Sequence, residues 1–402
     1  MDDHQRISAK LSKFVPSLTL ELKRKVAQRR AEGLPVYDFG LGETKGHLDE
    51  RIRAAGEQAF REEHTMYTDP AGLPELRDAV LRWLNLTQHY TRDDVVVTVG
   101  AKQALFNVFL AVTNPADAVL FDAAPWVSYQ PLAVTAYAFP VMVLPLGARA
   151  QGAKVTPADL IRNLDARPHA KLFLINNPCN PTAQLYSADE IEALLRICVE
   201  RRIYFVLDRL YWRIVFDGRA YPEPRVDAET RPWLIQVDGM SKNFRRTGGM
   251  RIGWAVGPRD VIAAMVNLQS HYTSGPATPT QRAALAAIDR PYEADMVREL
   301  EAKRNLLLRE AADMPHVTIW PTPATFYSFW DVTGCFGRRK PDGALLKTSD
   351  DVAKYLLESA GVATASGSAF MQPGFLRLSF ATSNEDITAG MAAARKALGA
   401  TN

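Results

Sequence analysis

The feature that most constrains the fold of this chain is a regular alternation of short apolar runs and longer amphipathic ones, from about residue 45 to residue 285. The short runs are rich in β-branched and aromatic residues and predict buried strands at Val95–Val99, Ala118–Phe121, Lys171–Asn176, Ile203–Asp208, Leu234–Asp238 and Ile252–Val256. The longer runs predict helices that include Leu73–Leu86, Lys102–Val112 and Ala188–Glu200. This alternation favours an α/β fold with a mostly parallel sheet flanked by helices, whose ligands bind at the carboxyl ends of the strands.

A different pattern follows residue 290 and predicts a smaller α+β domain. Its expected elements are a charged helix at Tyr292–Ala312, apolar segments at Val317–Trp320, Phe326–Val332 and Phe375–Phe380, a helix at Asp350–Ala360, a closing helix from Glu385, and an exposed loop at Gly334–Gly343. A chain of 402 residues is also too long for one ordinary core. We therefore expect a large domain at 45–288 and a small domain formed by 1–44 and 289–402.

Charge and cysteine content exclude several classes of partner. The 48 Lys and Arg residues are interleaved with 45 Asp and Glu residues, so no nucleic-acid partner is expected. The most basic stretch, Leu22–Arg30, is interpreted as a solvated helix face. No apolar run reaches the roughly 20 residues of a membrane span, and the start does not resemble a signal peptide. Cys179, Cys198 and Cys335 match no metal spacing and suit a reducing compartment, so a cytoplasmic location without a metal site is predicted.

Three segments carry residues that are suited to chemistry. Ser241-Lys242 lies between a buried strand and a Gly-Gly turn, where a desolvated lysine of lowered pKa can attack a carbonyl carbon. Asn176–Thr182 contains two Asn-Pro steps directly after a strand. Asp208 ends another buried strand, with Tyr211 three residues later, and a carboxylate in that place requires a partner or a proton. Each segment alone is also compatible with an ordinary loop or a structural ion pair.

Taken together and in order, these segments resemble the fold type I pyridoxal-phosphate (PLP) enzymes, and specifically the aspartate aminotransferase group of the class I/II aminotransferases. Further similar segments are Tyr67–Arg77, Val97–Leu105, Pro125–Tyr129, Phe326–Asp331 and Phe375–Ser383, so the resemblance covers most of the chain. It implies the PLP-dependent transferase fold. It also implies an enzyme that uses pyridoxal 5'-phosphate to move an amino group from an L-amino acid to a 2-oxo acid.

The resemblance implies roles around the cofactor ring. Lys242 matches the lysine that forms the Schiff base and later moves a proton to or from the substrate Cα. Asp208 matches the carboxylate that pairs with the pyridine nitrogen and keeps it protonated. Asn180 and Tyr211 match the residues that hydrogen-bond the ring's 3-oxygen. Trp126 matches the aromatic side chain that stacks on the ring.

The resemblance also implies a set of phosphate ligands. The backbone N–H groups of Ala101 and Lys102, at the start of a helix, are favourable for an anion. Ser241 and Arg251 match side-chain phosphate ligands. Tyr67 matches a phosphate ligand that the neighbouring subunit donates, which implies a homodimer with shared active sites.

Substrate contacts follow in the same way. Arg377 matches the arginine that binds the substrate α-carboxylate, assisted by the backbone N–H of Gly42 and by Asn180. Lys102 matches a lysine that, in one bacterial branch of the group, reaches the side-chain carboxylate of an acidic substrate.

The chain departs from the pattern of the group at four places. Thr44-Lys45-Gly46 follows Glu43, Arg209 follows the ring-binding aspartate, Ala183 replaces the glycine after Asn-Pro-Thr, and one extra residue lies between Lys242 and Arg251, in a basic segment. One hypothesis is that Lys45, Arg209, Arg245 and Arg246 partly serve a substrate larger or more anionic than aspartate. The alternative is surface charge with a loop adjustment.

Two other functions stay open at this point. Elimination, cyclisation or oxidation of an amino acid would use the same Cα carbanion, as in relatives that make unusual amino acids. A non-catalytic ligand sensor would need a DNA-binding domain, and the roughly 40 residues ahead of the α/β pattern are too few for one.

Overall fold

A seven-stranded sheet forms the centre of the molecule. The computed structural model describes residues 18–40, 42–145, 154–289 and 294–402. The strands of this sheet are β2 (Val95–Val99), β3 (Ala118–Phe121), β4 (Phe139–Met142), β5 (Ala170–Asn176), β6 (Tyr204–Asp208), β7 (Leu234–Gly239) and β8 (Ile252–Val256). Their order is β2-β8-β7-β6-β5-β3-β4, and only β8 runs antiparallel to its neighbours. The mostly parallel α/β fold class is therefore confirmed.

The strands are mostly apolar, as expected for a sheet whose two faces are both covered by helices. Every residue of β8 is buried, as is every residue of β3. Leu105, Val108 and Phe109 pack in the core on one face, and Ile191, Leu194 and Leu195 pack in the core on the other. The helices before residue 290 are Leu18–Ala31, Glu50–Arg61, Pro74–Trp83, Ala101–Val112, Tyr129–Thr135, Pro157–Asp165, Ala188–Arg201, Met240–Asn243, Arg259–Ser270 and Thr278–Ile288.

A smaller antiparallel sheet lies in the C-terminal part of the chain. It consists of β9 (Thr318–Ile319), β10 (Tyr327–Asp331), β12 (Ala365–Ser366) and β13 (Phe375–Ser379), in the order β12-β13-β10-β9. The helices of this part are Ala294–Glu310, Ser349–Ala360 and Asn384–Gly399. A capping box of Thr348 and Asp351 starts the second of these helices, since each side chain accepts a backbone N–H of the first turn.

The N-terminal segment packs against this C-terminal part. β1 (Tyr37–Asp38) pairs in parallel with β11 (Val362–Ala363). Val26 of the first helix packs in a small core with Leu357 and Ala363. These contacts agree with a small domain built from both ends of the chain, although its boundaries at 1–44 and 289–402 remain a prediction.

Most differences from the predicted elements concern their ends. The charged helix spans Ala294–Glu310, and the start expected at Tyr292 lies outside the described residues, as do residues 1–17. The helix expected at Leu73–Leu86 ends at Trp83, because Leu84 leaves helical backbone geometry. β4 was not predicted; it lies at an edge of the sheet and exposes Phe139, so it lacks the fully apolar signature of the inner strands.

No helix of the described chain has the length and apolar character to cross a bilayer.

Candidate active site

A cavity of about 250 Å³ opens at the carboxyl ends of the parallel strands. It brings together most of the site residues predicted from the sequence, namely Gly42, Ala101, Lys102, Trp126, Asn180, Asp208, Tyr211, Lys242 and Arg377. These residues come from segments that are far apart in the chain. The three remaining predicted residues, Ser241, Arg251 and Tyr67, are not among the residues that line this cavity.

Asp208, the last residue of β6, is a buried carboxylate without a cationic partner among the described residues. The Tyr129 hydroxyl donates a hydrogen bond of 2.7 Å to its Oδ2, and the Leu210 N–H donates one of 3.2 Å to its Oδ1. Burial raises the pKa of Asp208 to about 6, although both hydrogen bonds oppose that shift. A cation placed beside this carboxylate would stabilise its ionised form.

The Asn180 side chain forms hydrogen bonds to both Tyr211 and Arg377. Its Nδ2 donates to the Tyr211 hydroxyl at 3.3 Å, and its Oδ1 accepts from Arg377 Nη1 at 2.9 Å. Asn176, at the end of β5, fixes the loop because its Oδ1 accepts the Asn180 N–H at 2.7 Å. The Nδ2 of Asn176 donates to the backbone carbonyl of Asp208 at 3.0 Å. The Asn-Pro loop is thereby tied to the strand that carries the carboxylate.

Lys242 lies in the short helix Met240–Asn243, directly after β7. Its Nζ donates a hydrogen bond to the backbone carbonyl of Gly42. Burial lowers the pKa of Lys242, and the nearby Arg377 and Arg251 lower it further, against the opposing influence of Tyr327 and Glu43. A lowered pKa increases the fraction of neutral amine, which is the nucleophilic form.

The start of the helix Ala101–Val112 has the properties that favour an anion. The first N–H groups of a helix have no acceptor within it and carry partial positive charge. Gly100 precedes this helix with φ +78, and a Cβ at this position would overlap the guanidinium of Arg251. Arg251 is held by a 2.7 Å hydrogen bond from its Nη1 to the Gly248 carbonyl. Glycine at 100 therefore allows the Arg251 guanidinium to lie beside the helix start.

Arg377, in the middle of β13, is buried at the opposite side of Asn180. Its Cζ lies 4.3 Å from the ring centroid of Tyr327, and its Nη2 donates to the Gly40 carbonyl at 3.4 Å. Its Nε has no hydrogen-bond partner among the residues that the structure describes. A buried guanidinium with an unsatisfied N–H in a cavity is suited to bind a carboxylate.

Sequence reasoning assigned no role to four residues of this region. Tyr129 holds Asp208, Asn176 holds the Asn-Pro loop, Tyr327 supports Arg377, and Lys23 lines the cavity. The first three lie within segments that carry the resemblance, so their positions were available as a signal. The interpretation of Leu22–Arg30 as a solvated face is incomplete, because Lys23 lies on the cavity wall.

The hypothesis that Arg209 serves the substrate is wrong. Arg209 is fully buried outside the cavity, where it pairs with Glu223 at 2.8 Å and donates to Gln236 Oε1 at 2.6 Å. Its Cζ lies 4.7 Å from the ring centroid of Trp212 and 4.9 Å from that of Tyr221. Arg209 is thus a structural cation of the core.

The other three extra cations also have partners within the protein. Lys45 donates to Thr382 Oγ1 at 3.0 Å, Arg245 pairs with Glu299 at 2.7 Å, and Arg246 donates to the carbonyl of Gly46. None of them lines the cavity. These contacts favour the alternative interpretation, in which the extra charges adjust the loops at the edge of the site.

Replacing Arg209 by alanine is expected to lower the free energy of unfolding by about 3 kcal/mol, because it removes a stacked side chain and leaves buried polar partners unpaired. Chemical denaturation monitored by circular dichroism would measure this loss. Arg219→Ala, which changes an exposed arginine, is the control and should stay within about 0.5 kcal/mol of the wild type. A stable Arg209→Ala variant with altered substrate preference would contradict this assignment.

Ala183 lies at a backbone position where the group's motif has glycine. Its φ is +59, in the left-handed region, and its side chain is fully buried. A methyl group is tolerated there, but larger side chains would be both strained and crowded. This geometry gives a physical reason for the glycine at that point of the motif.

Comparisons with known proteins cover almost the whole chain. The profile of the family described as aminotransferase class I and II matches residues 34–393. An aspartate aminotransferase of Geobacillus stearothermophilus is 32% identical over 94% of this chain and 95% of that protein. An aspartate/prephenate aminotransferase of Cereibacter sphaeroides is 33% identical over 94% and 95%. The crystal structure of an aspartate aminotransferase from Rhizobium meliloti superposes with a TM-score of 0.93 at 29% identity, covering 99% of this chain and 100% of that one.

Proposed function

Because this chain belongs to the class I and II aminotransferase family and is a transaminase, we propose that it transfers the amino group of an L-amino acid to a 2-oxo acid with pyridoxal 5'-phosphate held in the cavity. One observation carries the proposal: Lys242, with its lowered pKa, and Asp208, a buried carboxylate without a cation, line the same cavity. This cofactor requires an amine nucleophile at its aldehyde carbon and an unpaired carboxylate at its ring nitrogen.

The residues of the cavity fit this cofactor on physical grounds. The carboxylate of Asp208 suits a protonated ring nitrogen, and the N–H groups at the start of the helix Ala101–Val112 suit a phosphate. Lys242 would carry the aldehyde carbon between these two ends. The remaining expected contacts are Asn180 and Tyr211 to the ring oxygen, Trp126 on the ring face, and Ser241 and Arg251 on the phosphate.

When bound, pyridoxal 5'-phosphate supplies an aldehyde carbon for the substrate amine and a conjugated ring that accepts electrons from Cα. The protein's own groups supply position and proton transfer. Arg377 binds the substrate α-carboxylate as a planar donor, with the Gly42 N–H beside it. Lys242 would remove the Cα proton once its amine is free, and its lowered pKa increases the share of the neutral amine that can do so. Tyr129 keeps the Asp208 carboxylate oriented toward the cavity.

Transamination and the alternative reactions at Cα leave different products. The relatives carry the names of aminotransferases, which favours transamination over elimination, cyclisation or oxidation. Mixing the cofactor-loaded enzyme with one equivalent of amino acid and no acceptor should release one equivalent of 2-oxo acid and no ammonia. Release of ammonia under these conditions would support the alternative instead.

Borohydride reduction tests the attachment site directly. The reduced protein, digested and analysed by mass spectrometry, should carry the cofactor on the peptide that contains Lys242. A protein that binds no cofactor, or one modified at another lysine, would contradict the proposal.

We further propose that the enzyme is a homodimer in which Tyr67 enters the cavity of the partner subunit. Tyr67 is 95% exposed, and the neighbouring Met66 and Phe60 are 83% and 66% exposed. An exposed cluster of large apolar side chains is typical of an interaction surface. The dimer would cover this cluster and complete the phosphate contacts.

A double substitution, Phe60→Glu with Met66→Glu, is expected to produce monomers with activity reduced more than about tenfold, because charged groups prevent burial of this surface. Sedimentation velocity would measure the oligomeric state. Phe139→Glu, at a comparably exposed phenylalanine on β4, is the control and should stay dimeric. A double variant that remains a fully active dimer would contradict the proposed interface.

The location of the enzyme remains a prediction. Cys179, Cys198 and Cys335 are buried free thiols, which is compatible with the predicted reducing, cytoplasmic environment.

A further inference from the structure

A buried carboxylate lies beside the short helix that carries Lys242. Asp238, the next-to-last residue of β7, is fully buried and is not among the described residues that line the cavity. A buried acidic side chain is costly unless hydrogen bonds and an opposite charge stabilise it. The proposed function gives Asp238 no role, because Asp208 is the carboxylate expected at the cofactor ring. The burial of Asp238 therefore needs another explanation.

The two oxygens of Asp238 bind two different segments of the site. Its Oδ2 accepts a hydrogen bond from Trp212 Nε1 at 2.9 Å, and its Oδ1 accepts one from Asn243 Nδ2 at 2.9 Å. Trp212 directly follows Tyr211, and Asn243 directly follows Lys242. The carboxylate therefore ties the segment that carries the tyrosine to the helix that carries the lysine.

Asn243 fixes the end of this helix. Its Nδ2 also donates to the Gly239 carbonyl, four residues earlier, at 2.9 Å, and its side chain is buried. The amide has one orientation, because its oxygen in the place of Nδ2 would face two acceptors. The Thr247 hydroxyl donates to the Met240 carbonyl at 2.7 Å. A helix of four residues is only about one turn long, so these side-chain bonds determine the direction in which it presents Lys242.

Arg209 supplies the charge that opposes the carboxylate. It donates to Gln236 Oε1 at 2.6 Å, and Gln236 and Asp238 lie on the same face of β7 because they are two residues apart. Burial raises the pKa of Asp238 to about 7, and the charge of Arg209 is the strongest of the influences that oppose this rise. The arginine that follows Asp208 in this chain thus has a carboxylate counterpart on the neighbouring strand.

We propose that Asp238 is a positioning residue for Lys242: its carboxylate, stabilised by the charge of Arg209, holds Asn243 and thereby directs the amine into the cavity. This inference rests on the proposed function, in which Lys242 moves the Cα proton. Misplacement of a reacting group by about 1 Å can lower a rate on the order of 100-fold. Binding of the substrate carboxylate by Arg377, on β13 of the other sheet, should not depend on Asp238.

Single-turnover mixing of the PLP-loaded enzyme with aspartate separates rate from binding. In Asn243→Ala the maximal rate should fall about 10- to 100-fold, while the apparent Kd for aspartate stays within about twofold. Asp238→Asn keeps the volume of the side chain, but its amide nitrogen cannot accept, so the maximal rate should fall about tenfold. Asn163→Ala is the control, because Asn163 Nδ2 likewise donates to a carbonyl four residues earlier, that of Asp159, at 2.9 Å. Wild-type rates in both test variants, or a loss in Kd alone, would overturn the proposal.

A double substitution distinguishes positioning from a general structural role. In the Lys242→Ala enzyme, methylamine in solution would replace the lysine as base, and no side chain is left at 242 for Asn243 to position. Adding Asn243→Ala to this variant should therefore leave the methylamine-dependent rate within about twofold. A structural role would lower that rate by the same factor as in the wild-type background, and such equal losses would overturn the proposal.

The pKa of the Lys242 amine provides a measurement that involves neither cofactor nor turnover. Acetylation of the cofactor-free full-length protein with acetic anhydride at a series of pH values, followed by mass spectrometry of the Lys242 peptide, gives this pKa. Burial lowers it in the wild type, so a helix loosened in Asn243→Ala should admit water and raise it by at least about 0.5, with no change in Asn163→Ala. If the wild-type enzyme turned over no amino acid, the proposed function would fail while this measurement still tested the positioning. An unchanged pKa in Asn243→Ala would overturn it.

Discussion

Replacement of Lys242 by alanine is expected to lower kcat more than about 10³-fold, because in the proposed function the amine is both the attachment point of the cofactor and the group that moves the Cα proton. The helix Met240–Asn243 has only four residues and is held by its neighbours, so removal of this side chain should leave the fold intact. Steady-state kinetics with an amino acid and a 2-oxo acid would measure the loss, and circular dichroism would check the fold.

Two control experiments test whether the loss of activity is specific to the Lys242 amine. Lys396→Ala changes a lysine of the closing helix, outside the cavity, and should retain wild-type kcat. Addition of a small primary amine to the Lys242→Ala enzyme should restore part of the rate, since an external base can replace the missing one. A Lys242→Ala enzyme with more than a tenth of the wild-type rate would contradict the assignment of this lysine.

Replacement of Asp208 by asparagine is expected to have opposite effects on stability and on catalysis. The side chain keeps its shape, and its single oxygen can accept the Leu210 N–H while its amide nitrogen donates to the Tyr129 hydroxyl oxygen, but it loses the charge that would pair with a ring nitrogen. We expect kcat/KM to fall on the order of 10²- to 10³-fold, as for the loss of other preorganised electrostatic contacts.

The stability of the cofactor-free protein should rise with the same substitution. Burial raises the pKa of Asp208 from its ordinary 3.8 to about 6, so the folded state binds more protons than the unfolded state between these values. Wild-type stability therefore falls as pH rises through this window, and the loss persists at higher pH. The difference of about two pKa units corresponds to roughly 3 kcal/mol.

The measurement is urea denaturation of cofactor-free Asp208→Asn and wild-type protein at pH 4.5 and pH 8. The advantage of the variant should grow by about 2 to 3 kcal/mol between the two conditions. Glu200→Gln, which removes an exposed carboxylate from the helix Ala188–Arg201, is the control and should give no such growth. A variant that is equally or less stable at both pH values would show that the buried carboxylate is compensated by some other group.

The parts of the site that the sequence could predict are those attached directly to strand ends. Asp208 ends one buried strand and Lys242 follows another. Because the carboxyl ends of parallel strands meet at one edge of a sheet, the sequence predicted that these two side chains would lie close together. Arg377 was assigned by resemblance alone, because nothing in β13 indicates which side of the sheet it faces. Its contact with Asn180 joins residues 197 positions apart, and only the folded chain reveals it.

The two residues whose surroundings were predicted wrongly, Arg209 and Lys23, are both charged. Arginine is usually found at the surface, so the sequence contained no sign that Arg209 is buried. Its burial depends on Glu223, Gln236 and two aromatic rings that the local sequence does not bring together. Lys23 was missed for the reverse reason, since a lysine in a basic helix is normally solvated. In both cases tertiary packing, rather than local pattern, determines the surroundings of the charge.

The antiparallel direction of β8 has a consequence for how this enzyme tolerates change. Because β8 returns beside β7, the amine at 242 and the guanidinium at 251 belong to a single connection whose ends are pinned by the pairs Gly239↔Gly253 and Val99↔Ile252. An added residue within that connection leaves the register of both strands intact. The extra residue between Lys242 and Arg251 can therefore be accommodated, and we expect the length of this connection to be open to alteration by design.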